Sequence, residues 1–92
     1  MTPMRAVTVR VTGRVQGVSF RWYALQEARR LDVRGWIRND PDGSVSAHLE
    51  GDDAAVEAMV DWCRRGPLGA KVRDVAVTPS SPGGAEAFDI RY

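Results

Sequence analysis

The chain contains few of the residues that build metal sites, disulfides and membrane spans. Its 92 residues include one cysteine, one histidine and one lysine. A single cysteine excludes an internal disulfide, and the chemistry-bearing side chains do not cluster as metal ligands do. No apolar run is long enough to cross a bilayer, and the N-terminus lacks the apolar segment of a secretion signal. These absences predict an intracellular, cytoplasmic protein that uses neither a metal nor another cofactor.

The chain also lacks an excess of charge of either sign. Its formal net charge is +1, so no broad positive field attracts nucleic acid or an anionic membrane. We therefore predict neither nucleic acid nor membrane as a partner. A chain of this length has room for one core, so we predict a single domain over residues 1–92. We also expect a monomer, an expectation that no sequence pattern carries.

Hydrophobic periodicity predicts a strand and a helix in the first third of the chain. Val7, Val9 and Val11 alternate with polar residues, which is typical of a half-buried strand over residues 5–12. Apolar residues then recur at helical spacing and predict a helix over residues 20–31. The predicted apolar positions of this helix are Phe20, Tyr23, Ala24, Ala28 and Leu31.

The rest of the chain predicts a hairpin, a second helix and two more strands. A strand over 33–39, a turn over 40–43 and a strand over 44–50 form the hairpin. The second helix opens at Asp52 or Asp53, and Gly66 with Pro67 ends it. Its apolar stripe is Val56, Met59, Val60 and Cys63. A fourth strand over 72–77, a loop over 78–86 and a short closing strand follow.

This order of elements predicts an α+β fold of the ferredoxin-like βαββαβ type. Two helices would cover one face of a largely antiparallel sheet in the order 4-1-3-2, with the fifth strand at an edge. Strands one and two would be parallel and would end at the same edge of the sheet, roughly 10 Å apart. The loop after strand one and Asn39 at the end of strand two would therefore meet.

That loop is the most informative stretch of the chain. Residues 13–21, GRVQGVSFR, place two glycines between the first strand and the first helix. Backbone N–H groups and the positive end of the helix dipole can converge there on an anion, and Arg21 adds a forked cation. A tight turn with a surface arginine is the alternative that glycine spacing alone leaves open.

The stretch GRVQGVSFR resembles the signature of the acylphosphatase family, and GWIRN at residues 35–39 resembles the second signature of that family. The layout matches as far as FDIRY at residues 88–92, so the resemblance covers nearly the whole chain. It implies an enzyme that hydrolyses acyl phosphates to a carboxylate and inorganic phosphate without a metal. Inorganic phosphate or sulfate would then bind as a product-like ligand.

Specific roles follow from the resemblance, residue by residue. Arg21 takes the place of the family's phosphate-binding arginine, and Asn39 takes the place of its water-orienting asparagine. The amides of the loop 14–20 take the place of the phosphate cradle, contributed chiefly by Gln16, Gly17, Val18, Ser19 and Phe20. Asp40 departs from the pattern, because many members carry an uncharged residue there. Its negative charge predicts weaker substrate affinity.

Several residues also have plainer interpretations. Asn39 precedes the turn 40–43 and could cap it through bonds to the backbone. His48 is predicted to be a solvated residue on the polar face of its strand, and Cys63 a small buried hydrophobe rather than a nucleophile. Trp36 is predicted to pack against the sheet, with contact to an acyl group as the alternative.

Other functions remain open at this point. A non-enzymatic module of the same fold could bind RNA, but the central strands lack the aromatic residues that stack bases. A small-ligand sensor or a degenerate phosphate-binding domain is also compatible with the sequence. Larger hydrogenase-maturation proteins begin with an acylphosphatase-like domain, but this chain ends without their remaining parts. We therefore expect a stand-alone enzyme.

Overall fold

The sheet formed by residues 4–92 has five strands, and its order brings the two predicted motifs to one edge. A computed structural model describes residues 4–92. The elements are β1 (Met4–Arg14), α1 (Phe20–Leu31), β2 (Arg34–Asn39), β3 (Val45–Asp52), α2 (Asp53–Arg65), β4 (Lys71–Ser80) and β5 (Phe88–Arg91). The strand order is β4-β1-β3-β2-β5. Among the pairings of these described strands, only that of β2 with β5 is parallel. The predicted fold class, strand order and edge position of the last strand are confirmed.

The core forms between the helices and one face of the sheet. Val7, Val9 and Val11 are buried, as their alternation predicts. The predicted stripe of α2 is buried in full, and Cys63 belongs to it. On α1, Phe20, Ala24 and Ala28 are buried, whereas Tyr23 is 45% exposed. The assignment of Tyr23 to the apolar face of this helix is therefore wrong.

Gly35 explains why the second motif needs a glycine. Its φ is +136°, and a Cβ built on it would lie 1.8 Å from the carbonyl oxygen of His48. No side chain fits so close to a neighbouring backbone. The absence of a side chain lets β2 pair with β3 up to Asn39, which lies opposite Val45. Gly35 thus helps to place Asn39 at the end of its strand.

The fourth strand is longer than predicted. Thr78, Pro79 and Ser80 belong to β4 and pair with Thr8, Val7 and Ala6 of β1. Their assignment to a loop is therefore wrong. The sequence was misleading because proline and serine are common in loops but also occur in edge strands. β4 is an edge strand, where a residue without an N–H group is tolerated.

The segment of residues 81–87, here called the strap, connects the two edge strands β4 and β5. Glu50 holds it by accepting hydrogen bonds from the N–H groups of Gly83 at 2.7 Å and Ala85 at 2.6 Å. His48 Nε2 lies 2.7 Å from the same carboxylate, and its side chain is only 13% exposed. The prediction that His48 is a solvated strand residue is therefore wrong, since Glu50 and Trp36 cover it.

Neither helix in the described part of the chain is long and apolar enough to cross a membrane.

Candidate active site

A cavity of about 400 Å³ opens where β1 leads into α1. It lies beside the ends of β2 and β5, so the loop before α1, the first turn of α1 and these two strands contribute to it. The sequence-predicted residues that line it are Gln16, Gly17, Ser19, Phe20, Arg21 and Asn39. Val18 is the one predicted residue that does not line it, because its side chain packs against the core. The fold thus brings both motifs to one cavity.

The loop before α1 adopts a backbone conformation that leaves its donors free. Gly17 has a φ of +75° and Ser19 a φ of 59°. A left-handed serine at the N-cap is uncommon, and its side chain makes no capping hydrogen bond to the helix. Within residues 4–92, the N–H groups from Gln16 to Phe20 donate to no other protein group. Such donors beside a helix N-terminus suit an anion.

Arg21 projects from the first turn of α1 and contacts the end of the chain. Its Nη1 donates a hydrogen bond to the carbonyl oxygen of Arg91 at 3.1 Å. Its guanidinium carbon lies 4.8 Å from the centre of the Tyr92 ring. Since a guanidinium has five N–H donors, most of them remain available to a ligand. These contacts restrict the direction in which the fork points.

Asn39 ends β2 and lines the same cavity. Its side chain makes no hydrogen bond to any of the residues described here, although it can both donate and accept. The turn that follows is held by other groups instead. Asp42 accepts from the N–H of Ser44 at 3.0 Å and from its hydroxyl at 2.6 Å. The interpretation of Asn39 as a side-chain cap of this turn is therefore wrong.

Asp40 directs its negative charge away from the cavity. Its carboxylate accepts hydrogen bonds from the hydroxyl of Ser46 and from Arg38 Nε, the latter at 3.1 Å, and it lies 3.0 Å from the hydroxyl oxygen of Ser44. The bond from Ser46 contributes most to lowering the pKa of this carboxyl, and burial opposes the shift. Asp40 does not line the cavity. Its charge is compensated by Arg38, which weakens the expectation that it repels a bound phosphate.

Four cavity residues were not identified from the sequence. They are Val15, Trp22, Ile90 and Tyr92. Trp22 is 54% exposed, and its position beside Arg21 off the apolar stripe of α1 was a usable signal. Tyr92 carried no such signal, because its contact with Arg21 depends on β5 pairing with β2. Of these four, Trp22 and Tyr92 are exposed, and they give the mouth of the cavity an aromatic rim.

The other chemically capable side chains lie elsewhere. Burial raises the pKa of the Cys63 thiol to about 12, so this cysteine is a buried hydrophobe as predicted. Trp36 lies outside the cavity, where the guanidinium groups of Arg38 and Arg91 lie 5.0 and 4.6 Å from its ring centre. These contacts fit the prediction that Trp36 packs against the sheet rather than against an acyl group. Residues 4–92 contain no group of three or more histidine, cysteine or carboxylate side chains placed to hold a metal ion.

Comparison with known proteins gives one consistent result. The family model for acylphosphatase matches residues 7–90. An acylphosphatase from Nocardioides sp. is 57% identical over 86 residues, covering 94% of this chain and 87% of the relative. One from Anaeromyxobacter sp. is 54% identical over 93 residues and covers both chains in full. The crystal structure of the Bacillus subtilis acylphosphatase is 36% identical with a TM-score of 0.93, covering 98% of this chain and 100% of that one.

Proposed function

The chain belongs to the acylphosphatase family and hydrolyses acyl phosphates, and we propose that the cavity between residues 13–21 and the end of β2 is its active site. The observation that carries this proposal is that the backbone N–H groups from Gln16 to Phe20 donate no hydrogen bond to the described residues. They share one cavity with Arg21 and Asn39. Surface backbone donors left without protein partners are available to a ligand.

The phosphoryl group binds to the loop amides and Arg21. Phosphoryl transfer depends mostly on positioning and on neutralising charge at the equatorial oxygens. Backbone donors at a helix N-terminus supply fixed positive dipoles, and the planar guanidinium can bind two oxygens at once. The contact of Arg21 with Arg91 supports this role, because it holds the side chain at the cavity before substrate arrives.

The leaving group explains why the site needs no general acid. Hydrolysis breaks the bond between phosphorus and the acyl oxygen, and the products are a carboxylate and inorganic phosphate. A carboxylic acid has a pKa of about 4, so the carboxylate departs at neutral pH without being protonated. We propose that no metal takes part, since the leaving group needs none and the amides with Arg21 balance the phosphoryl charge.

Asn39 orients the attacking water. Its amide is too weak a base to remove a proton, but it can hold a water in line with the breaking bond. The proton of that water passes to a phosphoryl oxygen of the substrate. The free side chain of Asn39 at the cavity wall supports this role, because a side chain engaged in capping the turn could not hold water in this way.

The test of this function is an assay with a simple aryl acyl phosphate in the presence of EDTA. We expect full activity with the chelator, and slow hydrolysis of alkyl phosphate monoesters, whose alkoxide leaving groups need a proton donor. Loss of activity with EDTA that a divalent ion restores would contradict the metal-free mechanism. Equal rates on monoesters would contradict the role given to the leaving group.

The phosphate cradle has a separate test. Inorganic phosphate and sulfate should inhibit competitively and raise the melting temperature, because the folded loop binds the anion and the unfolded chain does not. Gly17→Val should abolish both effects, since valine strongly disfavours the φ of +75° at this position. No atom lies within 4 Å of a Cβ built there, so the variant should fold. Unchanged anion binding in the folded variant would show that the cradle lies elsewhere.

We also propose that the protein acts as a cytoplasmic monomer of one domain, with neither nucleic acid nor membrane as a partner. The buried free thiol of Cys63 fits a reducing compartment. The core cluster contains residues of both helices and of β1, β2, β3 and β5, and Val72, Val75 and Val77 of β4 pack against it, which supports a single domain. Residues 1–3 of the proposed domain 1–92 lie outside the described residues. Light scattering after gel filtration tests the monomer, and cell fractionation tests the location.

A further inference from the structure

Gln16 joins the loop before α1 to the turn that follows Asn39. Its side-chain Nε2 donates hydrogen bonds to the carbonyl oxygens of Asp40 at 2.8 Å and Ser44 at 2.9 Å. Among the described residues these are the only hydrogen bonds between the loop 15–19 and the turn 40–44. One side chain thus connects the first motif with the turn that directly follows the second.

Both hydrogens of this amide are engaged. The two partners are carbonyl oxygens, which can only accept, so the NH₂ group of Gln16 must face them. No donor remains in this side chain to bind a phosphoryl oxygen. The backbone N–H of Gln16 is separate and stays free for the cradle. The side chain and the backbone of the same residue therefore serve different purposes.

The bonds act next to Asn39. Asp40 directly follows it, and the N–H of Asp40 donates to the carbonyl of Ser44 at 2.9 Å. That carbonyl also accepts from Gln16, so the amide binds both sides of the turn at its mouth. Removing Gln16 frees the turn to shift with respect to the loop, while the strand pairing of β2 and β3 remains. Displacement by about 1 Å can reduce a reaction rate about 10²-fold.

We propose that the side-chain amide of Gln16 is a positioning group that holds Asn39 and its water at a fixed place with respect to the phosphoryl group. This rests on the proposed function, in which Asn39 orients water. Gln16 acts through the backbone carbonyls of Asp40 and Ser44 and touches neither the water nor the substrate. Its loss therefore impairs turnover rather than phosphate binding.

The first experiment replaces Gln16 by methionine, which has similar length and no donor. We expect kcat for an aryl acyl phosphate to fall about 10- to 100-fold, while the inhibition constant of inorganic phosphate changes less than about threefold. Gln26→Met is the matched control, since Gln26 is exposed on α1 outside the cavity. We expect it to leave both constants unchanged. Weaker phosphate inhibition with normal kcat would make Gln16 a phosphate ligand and overturn the proposal.

A double-mutant cycle separates positioning from general structural support. If Gln16 acts through Asn39, then Gln16→Met should have little further effect on kcat in an Asn39→Ala background. Reductions that multiply would show that Gln16 acts independently of Asn39 and would overturn the proposal. Failure of the proposed function looks different, because Asn39→Ala alone would then retain normal turnover.

A third variant covers the case in which Gln16→Met does not fold. Gln16→Glu keeps the shape but directs a carboxylate at two carbonyl oxygens. Its turnover should be low at neutral pH. Turnover should recover in part at about pH 4 to 5, where the new carboxyl group is protonated, because the acid form can donate one hydrogen bond. The parent enzyme should show no such rise. A pH profile parallel to that of the parent would contradict the proposed clamp.

Discussion

The two ends of the sheet hold polar groups in opposite ways. At the strap end, Glu50 has a side chain that is 2% exposed and accepts hydrogen bonds from Gly83, Ala85 and His48. At the other end, the N–H groups of the loop and the side chain of Asn39 have no partner among the described residues. β3 connects the two ends, since Glu50 lies near its end and Val45, opposite Asn39, begins it.

The comparison separates a cluster that stabilises the fold from one that binds a ligand. A buried carboxylate is tolerated only when hydrogen bonds replace its lost water, and Glu50 meets that condition. Donors at the mouth of a cavity keep water as their partner until a ligand displaces it. Substitutions at the end that holds the cavity should therefore alter activity with little change in stability. Substitutions at the strap end should lower stability with little change in activity.

The largest effect is expected at Arg21. Arg21→Ala should reduce kcat/KM on the order of 10³-fold and weaken phosphate inhibition, because the guanidinium contacts the phosphoryl group in both ground and transition states. Arg21→Lys should not restore normal activity, since an ammonium cannot form the planar fork. Steady-state kinetics with phosphate as inhibitor measure both constants. Arg29→Ala, on an exposed position of the same helix, is the control and should behave as the parent enzyme.

Asn39 should give the next largest effect and a different pattern. Asn39→Ala should lower kcat on the order of 10²-fold while phosphate still binds, because the amide acts on water rather than on the phosphoryl group. Circular dichroism should show a folded protein, since Asp42 and Ser44 hold the turn. Near-normal turnover in the folded variant would remove Asn39 from the mechanism.

At the strap end, a substitution is expected to lower the free energy of unfolding rather than the activity. Glu50→Gln replaces an acceptor-only group by one whose NH₂ must face a backbone donor, so one N–H of the strap loses its partner. We expect the free energy of unfolding to fall by about 1–3 kcal/mol, measured by urea denaturation, with kcat nearly unchanged. Glu57→Gln is the control, because Glu57 forms an exposed, solvent-screened ion pair with Arg5 and should change stability much less than Glu50→Gln. A large loss of kcat in Glu50→Gln would show that the two ends are coupled.

The smallest effect is the acid dependence of that contribution. Burial alone would raise the pKa of the Glu50 carboxyl, but hydrogen bonds from His48, Gly83 and Ala85 outweigh it and lower the pKa below its usual value. The stability that Glu50 contributes is then complete above the unfolded pKa of about 4.3 and is lost as pH falls through the lower folded value. The difference in unfolding free energy between the parent and Glu50→Gln should therefore shrink below about pH 4. The parent protein alone would not isolate this effect, because the pKa of Asp42 is lowered to about 2 and this carboxyl also makes stability sensitive to acid. Subtracting the unfolding free energy of Glu50→Gln removes the contribution of Asp42, which both proteins share. A constant difference across this range would contradict the assignment.

Local patterns in the sequence predicted most of the fold and part of the site. The helix over 20–31 has the predicted bounds, because the glycine-containing loop and Asp32 in a left-handed conformation define its ends. The pattern failed where a distant segment decides the environment. His48 is covered by Glu50 and by Trp36 of the neighbouring strand, and β4 continues through Pro79 because it pairs with β1.

The site followed the same division. Arg21 and Asn39 were found because each lies in a local motif, and the sheet order brings those motifs to one cavity. Tyr92 and the carbonyl of Arg91 were missed because their contact with Arg21 exists only after β5 pairs beside β2. The bonds of Gln16 to the turn were missed for the same reason. Contacts across the sheet edge depend on three-dimensional placement that no local periodicity encodes.

The strand order also has a consequence for how the protein folds. β1 lies between β3 and β4, so its Ala6 pairs with Glu50 on one side and with Ser80 on the other. At the other edge of the sheet, Phe88 of β5 pairs with Gly35 of β2. Apart from the hairpin of β2 and β3, each pairing closes a long stretch of chain before any hydrogen bond forms, which slows folding. We expect refolding in roughly milliseconds to seconds. Because Arg91 of β5 and the adjacent Tyr92 contact Arg21, catalytic activity should return only once β5 has paired with β2, later than most of the secondary structure.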